Sequence, residues 1–301
     1  MKGRSAERRP AGCRISYEAD VVHFYKVSGA GNHFVLLDVI NGPPPMARRA
    51  LVRSFCLRGH SVGADGVLFV ERSSTADFKL VYYNADGAEA SMCGNGARCA
   101  AAYASDKGIA GKAMTLETRR GIIEARARRG SVELNMGFPQ HLRERLTVST
   151  SLGKIAGSAV DTGVPHFVTI VKDLKNLAVD TLGRELRFHR AFRPEGVNVD
   201  FVQMNRDGSL LMRTYERGVE AETLACGTGA AAVAVCLGAM GLVRSPVRIL
   251  TWGGDTLYVR YSDRFNPLSC MLLDGPAQVV YEGKILVSVL RRVARRFESG
   301  E

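Results

Sequence analysis

The chain has 301 residues, of which 46% are hydrophobic and 24% are charged. This composition is typical of a globular protein, and no apolar run approaches the ~20 residues that a transmembrane helix needs. The formal net charge of +11 at pH 7 raises the question of nucleic-acid binding. The basic clusters match no nucleic-acid module and have no interleaved aromatic residues, so we predict no nucleic-acid partner and no membrane association.

The N-terminal stretch 1–21 is rich in arginine but lacks the apolar core of a secretory signal. We interpret it as a disordered segment or an extension. The seven cysteines are an odd number without a regular framework, which favours a reducing compartment and predicts a cytoplasmic protein. No Cys-X2-Cys pair or His-rich tract is present, so we predict no metal site.

The first half of the chain, 22–143, alternates strands with helices. Residues 23–38 are typical of two strands, because β-branched and aromatic residues flank a short Gly-Ala-Gly turn. That turn lacks the third glycine and the following helix of a dinucleotide-binding fingerprint. Further predicted elements are a helix over 46–57, strands over 63–70 and 78–84, a helix ending near 107, and hairpin strands over 116–136.

The second half, 144–274, repeats this scheme. Its predicted elements are strands over 161–170, 194–203 and 210–216, a helix ending near 242, and strands over 247–251, 256–261 and 270–273. A last strand follows over 275–285, and a basic tail, 288–301, is predicted to be helical or frayed. The spacing of ~130 residues is too long for a solenoid repeat, so we predict two similar α+β domains that face each other across a ligand cleft.

A Cys-Gly-X-Gly-Ala motif occurs once in each half, at 93–97 and at 226–230, and an alanine-rich run follows each copy. Alanine is the best helix former, so each cysteine is predicted to lie on a turn that enters a helix. The unpaired backbone N–H groups and the positive dipole end at such a position favour a thiolate. The same groups can bind an anion such as a substrate carboxylate.

A single cysteine of this kind is equally well explained as a small buried hydrophobe. Two cysteines in matched turns, one in each half, are hard to attribute to chance. Two thiols on opposite faces of one carbon suit two-base racemisation or epimerisation, in which one thiolate removes a proton and the other thiol returns one. We therefore predict this chemistry for Cys93 and Cys226.

The chain resembles the diaminopimelate epimerase family from about residue 24 to residue 285. The matching stretches are 29–34, 63–66, 84–87, 92–99, 165–166, 198–201, 215–218 and 222–229. The resemblance implies an isomerase that needs no cofactor and interconverts LL- and meso-2,6-diaminopimelate, on the route to lysine and peptidoglycan. It also implies an α+β fold of two pseudo-symmetric domains, each a curved antiparallel β-sheet or barrel wrapped around a central helix. The last strand, 275–287, then returns to the first domain, and we expect a homodimer.

The resemblance also assigns roles to individual residues. Cys93 and Cys226 become the acid/base pair, and His166 and Glu216 help to set the protonation of the thiols. Arg217 corresponds to the residue that grips the distal carboxylate, where its fork suits bidentate binding. The other positions implied to bind substrate are Asn32, Asn84, Gly94, Asn95, Asn198, Gly227 and Thr228, together with Glu216.

The chain departs from the common family pattern at His33, at Gly66, at Val164 and by one extra residue in 219–221. Val164 removes a polar contact that an asparagine makes with substrate in many members. Another two-cysteine racemase, acting on proline, hydroxyproline or histidine, is the nearest alternative, although Arg217 favours a substrate with a second carboxylate. A basic nucleic-acid-binding protein and a pyridoxal phosphate enzyme are alternatives from other classes, but no lysine lies in a setting that marks a Schiff base.

Overall fold

The structure is a computed structural model, and it describes residues 21–90, 92–263 and 266–299. The prediction of a disordered segment or extension falls almost entirely on 1–20, outside the described residues. Within the described ranges, no helix combines the length and the apolarity that crossing a bilayer requires.

The described residues of the first half form eight strands and two helices. They are β1 (Val21–Gly29), β2 (Asn32–Asp38), α1 (Arg48–Cys56), β3 (Gly66–Glu71), β4 (Phe78–Asn84), β5 (Glu89–Ala90), α2 (Gly94–Asp106), β6 (Ala113–Thr118), β7 (Gly121–Arg128) and β8 (Ser131–Gly137). The elements predicted from the sequence in this half are found, with shifts of a few residues at their ends.

The second half is longer. It contains β9 (Gln140–Thr150), β10 (Gly153–Asp161), β11 (Pro165–Ile170), α3 (Val179–Arg187), a 3₁₀ turn (Arg190–Phe192), β12 (Asn198–Met204), β13 (Leu210–Glu216), β14 (Ala221–Thr223), α4 (Gly227–Ala239), β15 (Val247–Thr251), β16 (Thr256–Tyr261), β17 (Met271–Pro276), β18 (Gln278–Leu286) and α5 (Val287–Ser299). Strand β9, most of β10 and helix α3 were not predicted. Most side chains of β9 are exposed, so the strand lacks the alternation of apolar and polar residues that marks a half-buried strand.

The two halves share one pattern of strand pairing. β2 pairs with β3 in parallel, and β11 pairs with β12 in parallel. The same correspondence holds for the parallel pairs β4–β6 and β13–β15, and the remaining pairs are antiparallel in both halves. The prediction of two pseudo-symmetric α+β units is therefore confirmed.

Each half wraps its strands around the helix that follows its cysteine. In α4, residues 230–237 are all fully buried, as expected of a helix that is apolar on every side. Helix α2 packs against β1, β7, β8 and β18, and α4 packs against β10, β11, β12 and β16. Small alanine side chains let the surrounding strands approach both helices closely.

Two strand pairings tie the chain together. β8 pairs with β17 in an antiparallel manner and joins the halves directly. β18 crosses back from the second half and pairs along nearly the whole of β1. Because β1 and β18 are neighbours, the strands of the first half are completed by a strand that follows the second half.

Helix α5 follows β18 and packs against α1, so the basic segment near the C-terminus is helical from Val287 to Ser299. Its arginines lie on the outer face, whereas Val287, Leu290 and Val293 are buried. The carbonyl of Leu290 also accepts a hydrogen bond from the Ser54 hydroxyl of α1 at 3.0 Å.

We expect Leu290→Ala to lower the free energy of unfolding by about 2–4 kcal/mol, because it opens a cavity at a fully buried position. Chemical denaturation followed by circular dichroism measures this change. Arg292→Ala, on the exposed face of α5, is the matched control and should change stability by less than about 0.5 kcal/mol. Equal stabilities of the two variants would contradict the packing of α5 on α1.

Candidate active site

The two cysteines occupy equivalent positions at the N-termini of the two central helices. Cys93 is the N-cap of α2, with φ −138° and ψ 117°, and its sulfur accepts a hydrogen bond from the Gly96 N–H at 3.4 Å. Cys226 is the N-cap of α4, with φ −126° and ψ 115°, and its sulfur accepts one from the Gly229 N–H at 3.4 Å. The prediction that each cysteine opens a helix is therefore confirmed at both positions.

The two helix N-termini lie against each other. The side chain of Asn95, in the first turn of α2, donates hydrogen bonds to the Oδ1 of Asn32 at 2.5 Å and to the backbone carbonyl of Ala225 at 3.4 Å. Ala225 is the residue before Cys226, so this buried amide links the two cysteine turns. The hydroxyl of Thr162 donates a hydrogen bond to the backbone carbonyl of Thr228 at 2.8 Å, and this bond anchors the first turn of α4.

Asn32 itself lies at the start of β2, and Asp65 orients it. The Asn32 amide nitrogen donates to the carboxylate of Asp65 at 3.3 Å, and the backbone N–H of His33 donates to the same oxygen at 2.9 Å. Asp65 lies in the matching stretch 63–66, but its contact with Asn32, 33 residues away in the chain, could not be predicted from the sequence. Asn84 lies apart from this network: it is exposed at the end of β4, opposite Gly66, and its side chain has no hydrogen bond among the described residues.

His166 forms a fully buried pair with Asp200. The Nδ1 of His166 lies 2.7 Å from the Oδ2 of Asp200, and neither side chain is exposed to solvent. The other carboxylate oxygen of Asp200 accepts a hydrogen bond from the Thr214 hydroxyl at 2.8 Å. Asp200 was missed in the sequence analysis as a site residue. The available signal was its position two residues after Asn198 on one strand, which places both side chains on one face.

Glu216 lies at the end of β13, next to both cysteine turns. Its Oε1 accepts a hydrogen bond from the Thr223 hydroxyl at 2.6 Å, and its carboxyl group also hydrogen-bonds with the thiol of Cys226. Burial is the largest cause of the raised pKa of Cys93 and of Cys226, and Glu216, when ionised, raises both further. Burial raises the pKa of Glu216 itself, which favours the neutral acid. One carboxyl group therefore acts on both thiols.

Asn198 and Arg217 are held together beside His166. The Oδ1 of Asn198 accepts a hydrogen bond from the backbone N–H of Arg217 at 2.8 Å, and its amide nitrogen lies 3.4 Å from the Nε2 of His166. The guanidinium of Arg217 pairs only loosely with Glu195, at 3.5 Å, and the Glu195 side chain is 70% exposed. Such an exposed ion pair is weak, so this guanidinium can exchange its partner for another carboxylate.

Burial raises the pKa of both thiols, which favours their protonated forms. It raises the pKa of Cys93 to about 11, against the effect of the hydrogen bond from the Gly96 N–H, and the Glu216 carboxylate raises it further. Burial also raises the pKa of Cys226 well above its ordinary value, and Glu216 acts in the same direction. The helix N-termini moderate these shifts without reversing them, which differs from the expectation of a favoured thiolate.

This raised pKa predicts a pH-dependent rate. If Cys93 must be ionised to remove a proton, kcat/KM should rise with pH by close to tenfold per unit across the neutral range, because the pKa of about 11 leaves the thiol mostly protonated there. Initial rates in buffers of matched ionic strength measure the slope. Thermal unfolding over the same range is the control for stability, and a rate independent of pH would contradict the assignment.

Within the described ranges, no group of three His, Cys, Asp or Glu side chains is arranged to hold a metal ion. The polar groups that the two halves bring together are instead two thiols, a carboxyl group, a His–Asp pair and the N–H groups of two helix N-termini. This set can transfer protons and bind an anion.

Comparisons with known proteins agree with this chemistry. The sequence model of the family described as diaminopimelate epimerase matches residues 24–142 and 158–279. A diaminopimelate epimerase from Aquifex aeolicus is 38% identical over 283 residues, covering 89% of this chain and 99% of that protein. One from Hydrogenobaculum is 40% identical over 276 residues, covering 86% of this chain and 97% of that protein.

Solved structures share the fold at low identity. A phenazine biosynthesis protein from Bacillus anthracis has a TM-score of 0.69 at 15% identity, covering 88% of this chain and 99% of that protein. A probable proline racemase from Agrobacterium radiobacter has a TM-score of 0.66 at 18% identity, covering 88% and 93%. These two establish the α+β fold alone. The family match and the relatives, which span nearly the whole chain, go further: the chain belongs to the diaminopimelate epimerase family.

Proposed function

We propose that this protein is an epimerase that interconverts LL- and meso-2,6-diaminopimelate by a two-base mechanism without a cofactor. The observation that carries the proposal is the matched pair of N-cap cysteines, Cys93 and Cys226, whose helix N-termini are linked through Asn95 and share one carboxyl group, Glu216. The identity of the substrate is inferred from the family and from the names of the relatives.

In the proposed reaction, one cysteine acts as a thiolate and the other as a thiol. The thiolate takes the proton from the α-carbon, so a C–H bond breaks, an S–H bond forms, and the electron pair spreads into the adjacent carboxylate. The thiol of the other cysteine then delivers its proton to the opposite face of the carbon. The reverse reaction exchanges the two roles, and both are instances of general acid–base catalysis.

The helix N-termini stabilise the charge that develops in this reaction. The first N–H groups of a helix have no partner within the helix, and here they belong to Gly94, Asn95, Gly227 and Thr228. We propose that they bind the α-carboxylate as its negative charge grows. Fixed donors at a buried site act more strongly than solvent, because they need no reorganisation during the reaction.

Formation of the first thiolate releases one proton, so the groups around the two thiols decide where the negative charge forms. His166 lies beside Glu216, and its Nδ1 is 2.7 Å from the carboxylate of Asp200. We propose that His166 and Glu216 set which of the two thiols is ionised. Asn198 orients His166 and places the backbone of Arg217. Asn32 accepts a hydrogen bond from Asn95 and so orients it. We propose that Asn84 contacts the distal part of the substrate.

The experiment that tests the function uses pure single isomers in deuterated water. Starting from LL-diaminopimelate, we expect meso product that carries solvent deuterium at the inverted α-carbon. Chiral chromatography with mass spectrometry measures both. Conversion without deuterium, or no conversion of either isomer, would refute the proposal. Proline, hydroxyproline and histidine belong in the same assay, since turnover of one of these alone would favour the alternative racemase.

The distal carboxylate gives a sharper test of substrate class. We expect Arg217→Lys to raise the KM for diaminopimelate about tenfold, because lysine cannot make the bidentate contact, while kcat changes less. Steady-state kinetics with both isomers measures the two constants. Arg190→Lys, an exposed position on the same half, is the matched control and should leave both unchanged. An unchanged KM for Arg217→Lys would remove this residue from the site.

We also propose that the protein acts in the cytoplasm as a homodimer. The six cysteines in the described ranges are all free, which supports a reducing compartment. Phe138 and Leu152, large apolar side chains near the two ends of β9, are 65% and 71% exposed and offer apolar area for a partner copy. Sedimentation equilibrium at micromolar concentration should give the mass of two chains, and a single-chain mass would refute the dimer.

A further inference from the structure

Arg98 carries an unusual buried charge. Its side chain, on the second turn of α2, is 0% exposed. Its Nη2 donates a hydrogen bond to the Oδ1 of Asn95 at 2.5 Å, whereas Nε and Nη1 have no hydrogen-bond partner among the described residues. A buried cation that lacks partners destabilises a fold, so its presence calls for a functional explanation.

The guanidinium lies at the junction of the two halves. A Cβ added to Gly227, the first residue of α4, would lie 3.5 Å from its Nη1. A Cβ added to Gly275, on β17, would lie 3.2 Å from its Nε. The backbone of the second half can therefore approach the guanidinium closely at positions 227 and 275, because glycine has no side chain there. The positive charge of Arg98 therefore lies next to the N-terminus of α4.

Arg98 also orients the amide that joins the two cysteine turns. Because Asn95 accepts the hydrogen bond from Arg98 through its oxygen, its amide nitrogen must face Asn32 and the carbonyl of Ala225. Turning this amide over would set a nitrogen against the guanidinium and an oxygen against the two acceptors. The arginine thereby selects one orientation of Asn95.

The charged and titratable groups around Arg98 come from several elements. Cys93 and Cys99 belong to its own helix segment, Asp274 to β17, and Asp255 to the turn between β15 and β16. Within the described ranges, none of these carboxylates forms an ion pair with it, and the nearby Asp274 pairs instead with Arg128 at 3.8 Å. The positive charge is left for anions that form at the two helix N-termini.

We propose that Arg98 is a positioning residue that fixes Asn95 between the two cysteine turns and holds a permanent positive charge behind them, which favours the Cys93 thiolate and a bound substrate carboxylate. This inference rests on the proposed function. The distance to the substrate is bridged by Asn95 and by the first turns of the helices, so Arg98 acts without touching the reacting carbon. An anion that forms at the junction offsets the unfavourable free energy of burying the guanidinium charge.

The test compares Arg98→Met with Arg98→Lys. Methionine fills a similar volume without charge, and lysine keeps the charge without the fork. We expect Arg98→Met to lower kcat about 100-fold, while its thermal midpoint stays equal to that of the wild type or rises. Arg98→Lys should recover part of kcat. A wild-type kcat in Arg98→Met would overturn the proposal, as would a loss of kcat in both variants that follows a fall in their thermal midpoints.

A second readout does not depend on the substrate. The rate of alkylation of Cys93 by iodoacetamide, followed by mass spectrometry across a pH series, reports the ionisation of this thiol. We expect the profile of Arg98→Met to move to higher pH, and that of Arg98→Lys to move back toward the wild type. An unchanged profile would overturn the inference even if the wild type epimerises diaminopimelate. A shifted profile in a wild type that cannot turn over diaminopimelate would instead refute only the substrate.

Discussion

Cys93→Ser should lower the epimerisation rate by about 1,000-fold or more, and so should Cys226→Ser. A serine hydroxyl holds its proton far more tightly than a thiol, so it cannot act as the base. The fold should survive, because serine is a better N-cap than cysteine and can accept the same hydrogen bonds from the N–H groups of Gly96 and Gly229. Chiral chromatography of the products measures the loss, and thermal unfolding checks the fold.

Cys270→Ser is the matched control for this experiment. Cys270 is half-buried outside the two cysteine turns, and its thiol donates a hydrogen bond to Asn135 at 3.0 Å that a hydroxyl can replace. We expect wild-type rates from this variant. Near wild-type activity in Cys93→Ser or Cys226→Ser would contradict the two-base mechanism, whereas loss of activity in Cys270→Ser would show that serine substitutions act through the fold.

The cysteine turns could be predicted because their signal is local. A Cys-Gly-X-Gly-Ala stretch followed by alanines specifies a turn and a helix within about fifteen residues. The same reasoning placed the strands of both halves, whose apolar residues are buried in the sheet. It could not place β9, whose exposed polar side chains carry no apolar alternation and whose pairing with β10 depends on the rest of the fold.

The parts of the site that escaped prediction are those set by burial and by contacts across the chain. Asp200 becomes important only because it faces His166, which is 34 residues away, and because both are removed from solvent. The raised pKa values of the two thiols are likewise set by burial and could not be predicted from the sequence. A helix N-terminus is visible in a sequence, but the loss of water that outweighs it depends on the surrounding strands.

In the proposed mechanism, the duplication supplies two bases on one scaffold, and the differences between its halves make the two bases unequal. Beyond the dominant effect of burial, Cys93 is influenced by the carboxylate of Glu216, which raises its pKa, and by the cation of Arg98, which lowers it. Beyond burial, Cys226 is influenced by two carboxylates, Glu216 and Asp200, which both raise its pKa. The two thiols therefore experience different electrostatic fields although their backbone angles differ by only about 12° in φ and 2° in ψ. The proposed reaction requires an unequal pair, because one thiol gives a proton while the other cysteine, as a thiolate, accepts one.

Gly229→Ala should be the most damaging glycine substitution at the site. An added Cβ would collide with the Oδ1 of Asp200 and lie 3.1 Å from its Cγ. Asp200 cannot move away, because His166 and Thr214 hold its two oxygens at 2.7 Å and 2.8 Å. We expect a loss of about 1–3 kcal/mol in the free energy of unfolding. We also expect kcat/KM to fall about 100-fold, since a displacement of about 1 Å at the site is enough for that effect.

Gly96→Ala is the matched control, because Gly96 occupies the same position in the first turn of α2. There an added Cβ would approach the Cδ2 of Leu68 at 2.8 Å, and the end of a leucine side chain can rotate away. Alanine also favours the helix over glycine by about 1 kcal/mol, which offsets part of the crowding. We expect Gly96→Ala to keep near wild-type stability and most of kcat/KM. Equal losses in the two variants, measured by denaturation and by initial rates, would show that the fixed His166–Asp200 pair is not what makes the α4 turn sensitive.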